Sequence, residues 1–430
     1  MFKKSFIAVA AATFAATSAY AQLPTATVAD IDQDGSLNTA TIFQDGVTNS
    51  VVSVDQIGIN NLVNRYAVGG LQATQDGSVQ NTLAIVQTGN SNLVTPFQDG
   101  GQGNFGFVTQ TGNNNVVQLL QFEGLSNLAT VTLSNSFFET VLVNQGGLVD
   151  SNNVATINFT DTDNAIRAGM AIINQQENIG TTATVTETDV SNSISLVQQN
   201  TQENSSATIT RVNSSLDDAI ITQLVSTDAS ATINQNNNLG AGSTSVTIFQ
   251  YGVGPVSLGG NTASVNQSFS EGAAVNVAQA DRTNGQSATV VQTNMTLAAI
   301  NVIQDGIASS TAVVSQIGDA GLNDTVSVIN LTQIGAGGHT ALLDQIDASN
   351  SMIIATQSGS DAFLDAFQTG DYNELYSDQS GNSVDATVSQ TGVGTSPLLK
   401  NIATLTQSAN NVAAFVTQNG FGNTATINQF

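Results

Sequence analysis

The 430-residue chain has no cysteine, no tryptophan, four prolines, one histidine and seven lysines and arginines. Without cysteine there is neither a disulfide framework nor a thiolate metal site. So few cations argue against nucleic acid as a partner, because phosphate contacts need Lys and Arg, and against anionic membrane surfaces for the same reason. Aromatic residues make up 5% and charged residues 9%, the latter far below the roughly 25% of an ordinary soluble protein. Asn, Gln, Ser, Thr and Gly stand in their place, a bias that alone suggests a disordered, aggregation-prone tract. Hydrophobic residues nevertheless reach 40%, many of them Val and Ile. That content can bury apolar surface and opposes plain disorder. The formal net charge of −25 reads as solubility through self-repulsion. Cation binding at surface Asp rows is the sharper alternative.

The first residues, "MFKKSFIAVAAATFAATSAYAQ", carry Lys3 and Lys4, an apolar run from Phe6 to Ala16, and Ala19-Tyr20-Ala21 in small-x-small form. Residues 1–21 therefore read as a secretory signal peptide, and a bacterial exported protein is expected. The apolar run is too short for a membrane span, and no later stretch is long enough. Residues 22–31 form a short segment before the repeats.

From Gln33 onward one phrase recurs. Gln33, Gln44, Gln87, Gln98, Gln110 and Gln121 mark it early, and Gln379, Gln390, Gln407, Gln418 and Gln429 mark it late. The commonest step is roughly 11 or 12 residues, the signature of a repeat architecture. Most of these glutamines open a Gln-x-Gly triplet, with Gly35, Gly46, Gly89, Gly112, Gly392 and Gly420 where the chain must turn. An Asn follows, as at Asn38, Asn49, Asn92, Asn115 and Asn423, and then an alternating run such as "NTATIFQ". Strict alternation specifies a strand. Two phrases make one strand–turn–strand–turn rung of about 22–23 residues, and residues 32–430 hold about 17 such rungs. The triplets fade over residues 131–245, which read as degenerate rungs with looser turns.

A hairpin-sized repeat cannot bury its apolar face alone. Repeats of equal length favour stacking, because like then sits above like. The expected fold is all-β, a flattened β-solenoid with a thin Ala, Val, Ile and Leu core. Gln and Asn share the inward phase. Stacked in register, each amide can donate to one neighbouring copy and accept from the other, so that the polar groups are satisfied and the register fixed together. The other reading makes them surface residues flanking the turns.

These residues resemble the curlin repeats of bacterial curli fibres, whose pattern is Ser-x5-Gln-x-Gly-x2-Asn-x-Ala-x3-Gln. "QDGSLNTATIFQ", Gln33 to Gln44, matches the Gln, Gly, Asn, Ala and Gln positions, and partial matches cover residues 32–130 and 246–430. The resemblance implies a secreted functional amyloid: a fibre subunit that stacks on copies of itself, crosses the outer membrane with dedicated secretion and assembly factors, meets a nucleator, and serves adhesion and biofilm matrix. The chain is longer than familiar curlins, and "QLPTATVAD" is unlike their Gly- and Asn-rich targeting segment. The repetition of the interior phrase up to Phe430 predicts an open edge that templates the next molecule.

Other functions find less support. His339 sits in "GAGGHTALL", where a lone histidine is expected at the surface rather than in catalysis. No nucleophilic triad, cofactor motif or metal-ligand spacing stands out, so no enzyme is expected and no cofactor is called for. A monomeric surface adhesin that binds polysaccharide or another cell is the alternative to the fibre subunit. Ice binding by "TAT" rows such as Thr39/Thr41 and Thr424/Thr426 lacks regularity along the chain.

Overall fold

The computed structural model describes residues 27–430 except 46–47, 64–72, 77–78, 148–150, 161–168, 189–192, 213–216, 226, 237–243, 253–259, 282–284, 307–308, 319–323 and 393–398. The expected signal peptide lies outside the described residues. Every regular element in the described residues is a strand. No described helix is long and apolar enough to cross a membrane.

The chain is a parallel β-solenoid. Strands alternate between two main sheets, some rungs giving the second sheet two short strands, and Met295–Thr296 pairs apart with Asp324–Thr325. The first sheet has 16 strands and runs from Val28–Ser36 to Ala413–Asn419. The second ends on Thr424–Gln429, which pairs only with Asn401–Gln407. The rung count falls slightly below the expected 17 because some rungs take more chain than the minimum: 31 residues separate Gln56 from Gln87, and 32 separate Gln235 from Gln267. The solenoid also starts before residue 32. Val28 already pairs with Val51, so residues 28–31 belong to the first strand rather than to a preceding segment.

Register follows the repeat. Gln87 aligns with Gln110, Ala155 with Ala183, Ala231 with Ala263 and Gln368 with Gln390. Inward positions alternate with outward ones: in Thr182–Thr188, Ala183, Val185 and Glu187 are buried and the residues between them are not. The sheets of such a stack face each other at about 10 Å, a gap filled by one layer of aliphatic side chains. Ala129, Ala155, Ala231, Ala263, Ala288 and Ala403 are buried, and Ala40 and Ala425 in the end rungs are partly covered. Full burial of each Val or Ile stabilises by about 1.5–3 kcal/mol.

The described rungs of residues 131–245 continue the same stack, with one register shift between Leu133 and Ser136. Val154–Thr160, Thr182–Thr188 and Ser206–Val212 are seven residues each and pair in register. The turn triplets are lost there but the rungs are not: alternation is enough to hold a strand in place once its neighbours above and below fix its register.

Candidate functional site: the amide ladders

Two columns of glutamine run inside the solenoid, one at the end of the strands of each sheet. In the second sheet Gln98, Gln121, Gln145, Gln175, Gln199 and Gln223 pass hydrogen bonds in sequence. Each Nε2 donates to the next Oε1, over 2.6 Å for Gln98–Gln121 and 2.8 Å for Gln199–Gln223. The series continues through Gln250 and Gln279 to Gln379, Gln407 and Gln429. In the first sheet Gln33 donates to Gln56, Gln56 to Gln87 and Gln87 to Gln110. A later run from Gln235 ends on Gln390 and Gln418. Gln44 is hydrogen-bonded as well. In each of these steps the N–H points toward the C-terminal rungs.

The second amide hydrogen crosses the core. Gln98 Nε2 also donates to Thr82 O at 3.3 Å, Gln121 to Phe105 O at 3.2 Å and Gln110 to Leu93 O at 3.3 Å. Each acceptor is the first residue of the strand before, in the opposite sheet. A glutamine has two donors and one acceptor oxygen, so one bond up, one down and one across satisfy it while it closes the end of the core. This is why a fully buried amide, which would otherwise cost about 1–3 kcal/mol, recurs in nearly every rung.

The asparagines work differently. Asn61 N donates to Asn38 Oδ1 at 3.0 Å, Asn92 N to Asn61 Oδ1 at 3.1 Å and Asn115 N to Asn92 Oδ1 at 3.2 Å. Their Nδ2 groups donate to glycine carbonyls one rung on, Asn38 to Gly58 O and Asn92 to Gly112 O. They tie side chain to backbone rather than amide to amide. Asn423 does both, since its N and Nδ2 donate to Asn401 Oδ1, and Asn401 Nδ2 in turn donates to Asn373 Oδ1.

Asn49 is not a member. Turns from the first sheet to the second place the clamp five residues after Gln, as in Gln87 to Asn92, whereas turns back place it six after, as in Gln98 to Asn104. Asn49 therefore falls one residue short. It adopts the left-handed turn conformation (φ 52°), and Ser50, fully buried, holds the clamp position and accepts from Asn81 N. The repeated phrase hid this one-residue difference between the two turns.

Gly35, Gly58, Gly89 and Gly112 form a column with φ between 114° and 127°. A Cβ on Gly58 would sit 1.9 Å from Gly89 O, so both the conformation and the close stacking demand glycine. Gly392 and Gly420 occupy the equivalent turns near the C-terminal end, while Gly46 lies outside the described residues.

The first-sheet ladder is interrupted. After Gln110 its positions pass to Leu133, Phe159, Glu187 and Arg211 before Gln235 resumes. Glu187 and Arg211 are buried. Arg211 donates to the carbonyls of Asp217 and Ile194, Glu187 Oε2 accepts from Ser193 Oγ at 2.7 Å, and Thr244 donates to the Asp217 carboxylate. Burial pulls the Arg211 guanidinium below its ordinary pKa, opposed by Glu187, Asp217 and Asp218. It stays charged, because arginine starts so high. The sequence signal for this ionic insert was the inward phase of Glu187 and Arg211 within otherwise uncharged alternation.

His339 is buried, not exposed as expected. It occupies the position just before the strand Thr340–Ile346, where Asn or Ser stands in other rungs, and its N donates to Ser310 Oγ. Burial holds its pKa below the ordinary histidine value, against the Ile334 carbonyl and Asp361. Among the described residues no group of three or more His, Asp or Glu could hold a metal ion. No protein-family model matches the chain, and no curated protein matches its sequence.

Proposed function

We propose that this chain is the structural subunit of an extracellular, amyloid-like fibre of the curli type, built by end-to-end stacking of solenoids for adhesion and biofilm matrix. The observation that carries this reading is that both glutamine ladders run to sheet edges that pair with no other described strand. At the C-terminal edge Gln418 and Gln429 donate one amide hydrogen to Ile402 O and Ala413 O. The second hydrogen points outward, as its counterparts do toward the next rung. At the other edge Gln33 is exposed and donates inward. A second copy thus continues the ladder head to tail.

Charge favours the same polarity. Asp30, Asp32 and Asp34 are exposed on the first strand. Joined head to tail they face Phe415, Thr417 and Asn419, whereas head to head they would face one another. A heterologous contact that does not close generates a filament. The secretion machinery and nucleator that such a fibre uses come only from the resemblance.

The test is growth of the purified chain lacking residues 1–21. Thioflavin-positive fibres with a meridional reflection near ~4.8 Å are expected, and a charged, proline-containing cap appended after Phe430 is expected to stop their growth. Unchanged growth of the capped chain would overturn the open-edge mechanism. A chain that stays monomeric for days at high concentration would instead favour a surface adhesin.

A further inference from the structure

The outward face of the first sheet changes character along the solenoid. In its middle rungs Thr130, Thr156, Thr184, Thr208 and Thr232 stand one above the other in register. Two residues along each strand a second column holds Thr132, Asn158, Thr186, Thr210 and Asn234. Further from the middle the first column becomes Ser53, Ala84 and Phe107 at one end and Leu342, Asp365 and Phe415 at the other. The threonine block thus coincides with the stretch in which the Gln-x-Gly triplets fade. The rungs that have let the ladder lapse have kept their outward threonines.

Charge is distributed to the same effect. The chain has 32 acidic residues, yet these five strands carry only Glu187 and Arg211, and both point into the core. Placing charges inside costs desolvation free energy, and the outward face is left neutral. The two columns themselves hold no aromatic ring; Phe107, stacked on Phe105, lies directly beyond Thr130 at one end of the grid. No hydroxyl of the column threonines hydrogen-bonds another described residue, so these groups are available to solvent.

We infer that this face binds the surface of ice. Threonine is β-branched and stiff at χ1, so each presents a fixed methyl beside a fixed hydroxyl. Rungs repeat at about 4.8 Å and alternate residues along a strand at about 6.6 Å, a flat two-dimensional grid on the scale of the oxygen spacings of hexagonal ice. Methyl groups leave the adjacent water ordered without binding it, and the hydroxyls hydrogen-bond into that layer. Charged groups would hold their own hydration shells and break the match. A crystalline polysaccharide is the competing flat ligand, but sugar faces are gripped by aromatic rings, and those beside the grid, Phe105 and Phe107, stand only at one end of it. This activity is independent of fibre assembly.

The freshly folded chain, before any fibres form, is tested for ice-crystal shaping, thermal hysteresis and inhibition of ice recrystallisation. The wild type is expected to show all three. Thr208→Tyr, in the middle of the grid, is expected to abolish them, whereas Thr404→Tyr, outward on the second sheet, leaves them intact. Circular dichroism identical to wild type confirms that both variants fold. Should Thr208→Tyr alone misfold, Thr184→Lys serves in its place. A wild type without ice activity overturns the proposal, as does equal loss in both variants, or binding to insoluble cellulose without effect on ice.

Discussion

At the residue scale the unit of this structure is a three-way amide. Gln279 shows it completely: its Oε1 accepts from Gln250, and its Nε2 donates to Gln304 at 2.8 Å and to Thr262 O at 3.0 Å. Gln279→Ala strands donors and acceptors on both neighbouring rungs, each costing about 1–3 kcal/mol. A loss of unfolding free energy of that order, read as a lower urea midpoint at unchanged slope, is expected, against no change for the outward neighbour Ala280→Ser. Stacking also brings like charges onto adjacent rungs, as at Asp344 and Asp365, two positions apart in register. Asp344 is pushed above the ordinary carboxylate range by burial and by Asp365 on the next rung, partly offset by Ser315. The folded state then holds a proton that the unfolded chain releases, so this residue costs stability as pH rises past its usual range. Asp344→Asn is expected to raise the midpoint at neutral pH and to leave it unchanged below the ordinary Asp pKa of 3.8. His339 has the opposite sign. Its neutral form is favoured in the fold, so its contribution is present above its ordinary pKa of 6.5 and is lost as pH falls. His339→Asn is expected to remove that acid sensitivity in a urea titration between neutral and mildly acidic pH.

At the element scale strands are interchangeable wherever glutamine meets glutamine. A one-residue slip is excluded because it turns the core outward, but a slip by a whole rung exchanges one Gln for another. Glu187 and Arg211 break that equivalence, since buried opposite charges on adjacent rungs, each with its own partners, do not match glutamine. The Glu187 charge favours the charged Arg211 guanidinium through space, so removing either leaves the other buried charge less compensated, whereas replacing both removes the desolvation cost of each. Glu187→Gln and Arg211→Gln are each expected to destabilise, and the double variant to recover most of the loss in a double-mutant cycle. Strands and their faces could be read from alternation, because two-residue periodicity and a one-sided core leave little choice. What could not be read was the difference between the two turns. Asn49 and Ser50 are both small and polar, and only the stacked rung above reveals which one is buried. His339 was likewise judged by its Gly-rich flanks, whereas its place one residue before a strand put it inside.

At the scale of the whole molecule the solenoid is quasi-one-dimensional, and each rung contacts chiefly the rungs on either side. Fold class and approximate rung number were therefore legible from period alone, even through residues 131–245. The threonine grid was not. "TAT" recurs irregularly along the sequence, and only the alternation of sheets collects Thr130, Thr156, Thr184 and Thr208 on one face. The two ends differ in kind as well, with acids exposed at the first strand and Phe415, Phe421 and Phe430 at least 60% exposed at the last rungs.

The common direction of the glutamine amides has an electrical consequence. Backbone bonds between parallel strands point both ways and nearly cancel, whereas the side-chain amides, each a dipole of about 3.5 D if equal to a peptide unit, add along the axis. Such a chain of hydrogen bonds is also mutually polarising. The solenoid is therefore a small permanent electret with its positive pole at Gln418 and Gln429, and head-to-tail joining lengthens the electret instead of neutralising it.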